Sequence, residues 1–206
     1  GSKLDAAKAI FARVITEDKY SLKELIHTPD FLSEAQHSRN NFNFILVPTT
    51  FGSSSELTKW GTIWDWEDNK KYSISHEMLY ADTALVYPEL SLTAPRDVTA
   101  YTGLDTFSHA LESFWNKDSN FITRSNSLES IRICLETLPT LLKQLNSVKY
   151  RTQMSEASML AGFAFSQTRT AAAHALSYPL TIHHKIPHGY ACSLTLGAIF
   201  DYNLSR

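Results

Sequence analysis

Apolar residues at positions 4, 7, 10, 11, 14 and 15 recur at helical spacing and predict a first helix near residue 1, its interior face along that stripe. Residues 18–41 are polar and mixed, with a turn signal at Thr28-Pro29-Asp30. Phe42–Val47 is a short apolar run stopped by Pro48 and reads as a buried strand. It leads into Thr49–Glu56, rich in Gly and Ser, which reads either as a plain turn or as a loop at a strand end, where nucleotides bind in open α/β sheets. Thr58–Trp66 and Lys71–Met78 flank Glu67-Asp68-Asn69-Lys70 and predict a hairpin, with Trp60, Thr62, Trp64 and Trp66 alternating as half-buried strand packing. Asp82–Leu90 predicts one more strand. From Pro95, a residue favoured in a first helical turn, the pattern is helical throughout. It predicts helices over 95–116, 121–146, 151–166, 169–178 and 188–203, with Pro139 breaking or kinking the second.

The change of period divides the chain into an α/β part, residues 1–93, and an all-α part, residues 94–206. Composition adds bounds. The 206 residues are 43% apolar and 19% charged, with a net charge of −2, as in an ordinary globular protein that buries a core. Near-neutral charge argues against nucleic acid or an anionic membrane as partner. Apolar tracts such as Asn43–Val47 and Ile131–Leu135 fall far short of the ~20 residues of a membrane span. No basic-then-apolar leader opens the sequence. Cys134 and Cys192 lie in apolar runs, which predicts buried, reduced thiols in a cytoplasmic protein.

Candidate chemistry gathers between Tyr101 and Gly189. Asp105 and His109 are four apart, so on a helix they share a face. With His174 and His188 they would make a four-ligand set of one carboxylate and three imidazoles. Such a set suits Fe(II) or Zn(II) better than copper(I), an iron–sulfur cluster, calcium or magnesium. Asp-x-x-x-His alone also describes ordinary pairs on a helix surface, and that reading stands beside the metal reading.

Three segments resemble the iron-containing alcohol dehydrogenase family. Gly103 to Glu112 matches its Gly-x-Asp-x-x-x-His-Ala-x-Glu. His174, followed fourteen residues later by the histidine of Pro187-His188-Gly189, matches a second signature. Pro48-Thr49-Thr50-Phe51-Gly52-Ser53-Ser54-Ser55-Glu56 matches a third. The resemblance implies a Rossmann-like nucleotide-binding part, here incomplete, followed by a helical metal-binding part, the dehydroquinate synthase-like fold. It implies hydride transfer between a nicotinamide, NAD or NADP, and a small aldehyde or alcohol. Asp105, His109, His174 and His188 would ligate Fe(II), with Zn(II) second. Thr49, Thr50, Ser53 and Lys71 would contact the cofactor. Gly1, Ser2 and Asp5 would lie at the pyrophosphate, where bare amides and a helix dipole favour an anion; a vector-derived Gly-Ser is the competing reading of the first two.

On this resemblance the sequence reads as the middle of a longer enzyme, with the residue facing the ribose 2′ position upstream of Gly1. A homodimer is left open. Many relatives carry a histidine where this chain has Tyr178, which would orient substrate, with water, His183 or His184 relaying protons. Arg169, five residues before His174, stands in a segment where many relatives carry small or apolar residues, and would clamp an anionic substrate group or cap the preceding helix. The segment Thr168–Thr181 is similar to the branch that reduces phosphonoacetaldehyde. Rival readings are a lyase on the same scaffold and an inactive metal-binding fragment.

Overall fold

The structure, a computed structural model, describes residues 1–205. The chain forms two compact units: Gly1–Pro48 with Ser55–Val86, and Thr49–Ser54 with Tyr87 onward. The second unit thus begins earlier than residue 94 and takes in the Thr49–Ser54 loop.

In the first unit, α1 (Ser2–Ile15), α2 (Leu22–His27) and a 3-10 turn over Pro29–Ala35 running into α3 (Gln36–Arg39) precede β1 (Ile45–Leu46). A hairpin follows, β2 (Trp60–Asp65) antiparallel to β3 (Lys70–Ser75), in register from Trp60↔Ser75 to Asp65↔Lys70. The last strand, β4 (Thr83–Ala84), pairs parallel with β1. The two single strands are much shorter than the apolar runs predict. Pro48 follows one closely, and a 3-10 turn starting at Pro88 follows the other.

Phe11, Ala12, Ile15, Leu25, Leu32, Ala35, Ile74 and Leu79 form the core of this unit, with Phe44 stacked on Phe11 at 4.1 Å. The buried face of α1 differs from the apolar stripe. Ile10 and Val14 are exposed, while Lys8 is wholly buried. The Lys8 ammonium explains the rotation: it donates to the carbonyls of Ser55 (2.5 Å), Thr58 (2.6 Å) and Trp60 (2.8 Å) and to the Thr58 hydroxyl (3.0 Å). Asp5, on the same helix, accepts from Ser55 Oγ at 2.6 Å. Burial lowers the Lys8 ammonium to about 8, against the pull of Asp5 and Glu56.

The second unit is a helical bundle of α4 (Arg96–Phe114), α5 (Phe121–Leu141), α6 (Val148–Thr168), α7 (Ala172–His184) and α8 (His188–Leu204). Asn120 and Thr123 close a reciprocal capping box at the start of α5, and Ser147 caps α6. Pro139 lies two residues from the end of α5, so little helix remains for it to break, and α5 stops at Leu141 rather than 146. Pro179 lies inside α7, which nonetheless runs on to His184 and ends on Lys185 in the left-handed region. Ile133, Cys134, Leu138, Leu141, Met154 and Ala157 form the apolar core between α5 and α6. α4 is different: its buried residues include Thr99, Asp105, Thr106, Ser108, His109, Glu112 and Ser113, a largely polar interior. Among the described residues no helix is long and apolar enough to cross a membrane.

Candidate metal centre

Helical spacing places Asp105 and His109 on one face of α4, and both are buried. α7 brings His174 to them and α8 brings His188. The approach of α8 depends on Gly189. A Cβ there would lie 2.0 Å from the Tyr101 carbonyl oxygen and 2.8 Å from Asp105 Cβ, so only glycine lets the two helices meet this closely.

Asp105 Oδ1 is the centre of the arrangement. It lies 3.5 Å from His174 Nε2, 3.8 Å from His109 Nδ1 and 4.0 Å from His188 Nε2. Asp105 Oδ1 and His174 Nε2 are both buried without a hydrogen-bond partner. Buried polar atoms are normally satisfied, so two facing orphans call for a positive charge between them. Ligand atoms about 2.1 Å from one tetrahedral ion lie about 3.4 Å apart, close to the Asp105–His174 separation. Carboxylate and imidazole donors fit such an ion, with Asp105, His109 and His174 buried and His188 partly exposed.

Glu112 sets the tautomer of His174. Its Oε2 accepts from His174 Nδ1, and its Oε1 accepts from the backbone N–H of Ala173 at 2.6 Å. A carboxylate can only accept, so His174 Nδ1 carries a hydrogen, and when the ring is neutral its Nε2 lone pair is left for an ion. The same carboxylate caps the first turn of α7, where free N–H groups favour an anion. Gly52 plays the matching part for His109: its carbonyl lies 3.2 Å from His109 Nδ1. The His109 ring stacks on Phe165 at 4.1 Å and on His174 at 4.3 Å. A Cβ on Gly52 would lie 2.8–2.9 Å from Thr102, including its backbone, so this loop also meets α4 closely.

The titrations agree with a site built for positive charge. Burial opposes ionisation of Asp105, yet His109, His174 and His188 hold its carboxyl well below the usual carboxylate range. Burial pushes His109 down to about 4, with Asp105 resisting. His174 is raised despite burial, through Asp105, Cys192 and Glu112.

The four donors that lie within 4.8 Å of one another come from Asp105, His174, His188 and Cys192. His109 stands beside this group, and Cys192 stands within it. The apolar run around Cys192 points to a plain core thiol; its position four residues after His188 on α8 is the signal that points to the cluster. Both cysteines are free and buried. Tyr178 lies parallel to the His188 ring at 6.2 Å, and Ser177 Oγ lies 3.3 Å from His188 Nδ1. His183 and His184 are exposed in the last turn of α7.

Arg169 is the C-cap of α6 through its backbone N–H, which donates to Phe165 O at 2.7 Å. Its side chain is exposed, and its backbone takes φ 63°, ψ −176°, a region nearly confined to glycine. Thr49 is exposed, and Thr50 and Ser53 are half-buried, in the loop that joins the second unit. Gly1 is the N-cap of α1, Ser2 opens that helix, and Lys71 is half-buried on β3 opposite Trp64.

Residues 1–88 match the iron-containing alcohol dehydrogenase family model, and residues 99–206 match the model of the C-terminal part of that family. The chain belongs to the iron-containing alcohol dehydrogenase family. Among curated members, it is 32% identical over 203 residues to the 1-propanol dehydrogenase PduQ of Salmonella typhimurium, covering 98% of this chain and 50% of that protein. It is 33% identical over 196 residues to a sulfoacetaldehyde reductase of Bilophila wadsworthia, covering 94% of this chain and 48% of the relative. Among solved structures, the sulfoacetaldehyde reductase of Bifidobacterium kashiwanohense in complex with NAD+ superposes with a TM-score of 0.75 at 37% identity, over 77% of this chain and 42% of the other. The chain spans about half the length of the curated relatives it matches. The fold of the family, an α/β part followed by a helical part, is that of this chain.

Proposed function

We propose that the protein is a metal-dependent, NAD(P)-linked alcohol dehydrogenase or aldehyde reductase, with Asp105, His109, His174 and His188 holding Fe(II), or Zn(II) in its place. The observation that carries this reading is the facing pair of buried, unpartnered atoms, Asp105 Oδ1 and His174 Nε2. A bound ion would act as a Lewis acid on the substrate oxygen. Glu112 keeps the proton on His174 Nδ1, and the Gly52 carbonyl keeps one on His109 Nδ1, so each ring is fixed in one tautomer. Tyr178, parallel to His188, orients the substrate hydroxyl. A bound nicotinamide would supply the hydride acceptor for alcohol oxidation, or the donor for aldehyde reduction, while Tyr178 holds the substrate hydroxyl, whose proton goes to solvent in oxidation and returns from it in reduction.

Thr49, Thr50, Ser53 and Lys71 are assigned to the nicotinamide cofactor, with Gly1, Ser2 and Asp5 at its pyrophosphate. The free amides at the start of α1 support that placement. The solved sulfoacetaldehyde reductase is in complex with NAD+. Two free, buried thiols support a reducing, cytoplasmic setting.

The substrate we assign is a small aldehyde bearing a tetrahedral oxyanion, phosphonoacetaldehyde in particular. Arg169 supports it: an exposed guanidinium five residues before His174, on a backbone conformation that costs about 1–3 kcal/mol to hold. Two of the matched relatives are named for an aldehyde with a sulfonate of the same shape. The test compares NADH and NADPH oxidation by purified protein with phosphonoacetaldehyde, sulfoacetaldehyde and propanal. Arg169→Ala should raise KM for the anionic aldehydes by about 10–100-fold and leave propanal unchanged. An equal loss on propanal would remove the anionic-substrate reading. Absence of net NAD(P)H turnover with any aldehyde would remove the dehydrogenase reading.

A further inference from the structure

We infer that Ser113 and Thr168 are positioning residues for Arg169, their two hydroxyls locking the link between α6 and α7 in the conformation that aims the guanidinium at the anionic group of the substrate. The inference rests on the anionic-substrate reading above and deepens it. Thr168 Oγ1 donates to the Arg169 carbonyl at 2.9 Å, and Ser113 Oγ lies 2.9 Å from Thr168 Oγ1. A threonine hydroxyl has one hydrogen, so Ser113 is the donor of the second bond. The chain of bonds therefore runs from Ser113 to Thr168 to the Arg169 carbonyl. Both hydroxyl residues are buried, Ser113 at 0% exposure and Thr168 at 3%, whereas the Arg169 side chain is exposed.

The link itself is short, Arg169-Thr170-Ala171, because α6 ends at Thr168 and α7 starts at Ala172. Consecutive residues of α4 grip it from both sides. Ser113 acts through Thr168 at the near end, and Glu112 accepts from the backbone N–H groups of Ala173 and His174 at the far end. The N–H of Arg169 donates to Phe165 O at 2.7 Å, so with its carbonyl also engaged the peptide groups on both sides of Arg169 are held. That fixes the direction in which its side chain leaves the backbone. At φ 63°, ψ −176° this direction is one that an ordinary negative φ does not give. Glycine would take the conformation without strain, yet a long cation stands there. Losing the hydroxyl pair would let the link relax to negative φ and swing the guanidinium away.

The test measures KM and kcat for sulfoacetaldehyde and propanal in Thr168→Val, which keeps the shape of the side chain and removes both bonds at once. Thr168→Ser, Arg169→Ala and Thr168→Val combined with Arg169→Ala are measured alongside. Thr168→Val should raise KM for sulfoacetaldehyde about tenfold, with kcat and both propanal constants near wild type. Thr168→Ser should restore the wild-type KM, and the combined variant should be no worse on sulfoacetaldehyde than Arg169→Ala alone. A wild-type KM in Thr168→Val, with the Arg169→Ala effect present, would overturn the hydroxyl pair and leave the anionic-substrate reading standing. Equal losses on the two aldehydes would make the pair a plain helix fastening and overturn the inference as well. No effect of Arg169→Ala on sulfoacetaldehyde would overturn both readings. If Thr168→Val does not fold, Ser113→Ala removes the donor to Thr168, and the same comparisons decide.

Discussion

Each of the two units buries charge, and the two do it in opposite ways. In the first, the Lys8 ammonium is wholly enclosed and makes four hydrogen bonds to three carbonyls and a hydroxyl. In the second, Asp105 and His174 are equally enclosed, yet one atom of each has no partner. A satisfied buried charge is a structural device, since all that it can do is already done by its neighbours. An unsatisfied one has capacity in reserve, and two of them facing each other define what would fill the gap. The comparison therefore separates a group that holds a fold together from groups held ready by a fold.

The largest expected effect tests the structural side. Lys8→Met leaves two buried carbonyls and one part-buried carbonyl without the ammonium and should cost about 3–5 kcal/mol, measured by denaturant unfolding. The pH dependence has a definite sign. Burial lowers Lys8 to about 8, below its ordinary 10.5, so between those values the unfolded chain binds more protons than the folded one. Wild-type stability should then rise with pH across that window by up to about 3 kcal/mol. Lys8→Met lacks that rise, so its deficit should widen from pH 8 to pH 10.5; a constant deficit would mean that burial does not depress the ammonium.

Gly189→Ala probes how the reserved site is built. The new methyl would meet the Tyr101 carbonyl oxygen at 2.0 Å, and that oxygen belongs to the backbone of a packed helix. α8 must move away from α4 and take His188 with it. We expect a stability loss of about 3 kcal/mol together with loss of metal, read by unfolding and by metal analysis on one preparation. Full metal content would show that the close approach of the helices is not what positions His188.

How much of this was legible in the sequence follows from which physical rule each feature obeys. Asp105 and His109 were readable because one helical turn is a local rule, and the helices around them because their apolar spacing is regular. The stripe on α1 misled for the converse reason: pattern alone assigns Ile10 and Val14 to the interior, whereas Lys8 enters it to serve carbonyls of Ser55, Thr58 and Trp60, some fifty residues away. Glu112 was visible within a motif, but its work, joining the His174 ring to the first turn of α7, exists only in three dimensions. Cys192 could have been found with the same i, i+4 rule applied to His188. Its apolar neighbours argued instead for a core thiol.

Asp105→Asn sharpens the comparison from the other side. Without metal, Asp105→Asn should lose the attraction by which His109, His174 and His188 hold the carboxyl low, and so be somewhat less stable than wild type, but by less than Lys8→Met. Wild type at a metal concentration of 100 times Kd should gain about 2.7 kcal/mol, and the variant should gain almost none. Thermal unfolding with and without Zn(II) or anaerobic Fe(II) separates the two terms. A variant as destabilised as Lys8→Met without metal would place Asp105 among the structural charges.

The smallest effect belongs to Glu112→Gln, which changes one oxygen into an NH2 group. Glu112 now accepts three times, from the backbone N–H groups of Ala173 and His174 and from His174 Nδ1. Glutamine has one acceptor oxygen. If that oxygen keeps Ala173, the NH2 group faces His174 Nδ1, and the ring hydrogen must move to Nε2, the nitrogen that faces Asp105. The lone pair offered to the ion is then gone unless the tautomer shifts back at a cost. Metal affinity should fall about 10–100-fold, in the range found when the partner of a ligating histidine is removed. Competition with a chelator of known affinity measures it, and NMR of the His174 ring nitrogens reads the tautomer directly. Unchanged affinity with the hydrogen still on Nδ1 would mean that the ring is fixed by its packing against His109, 4.3 Å away, and not by the carboxylate.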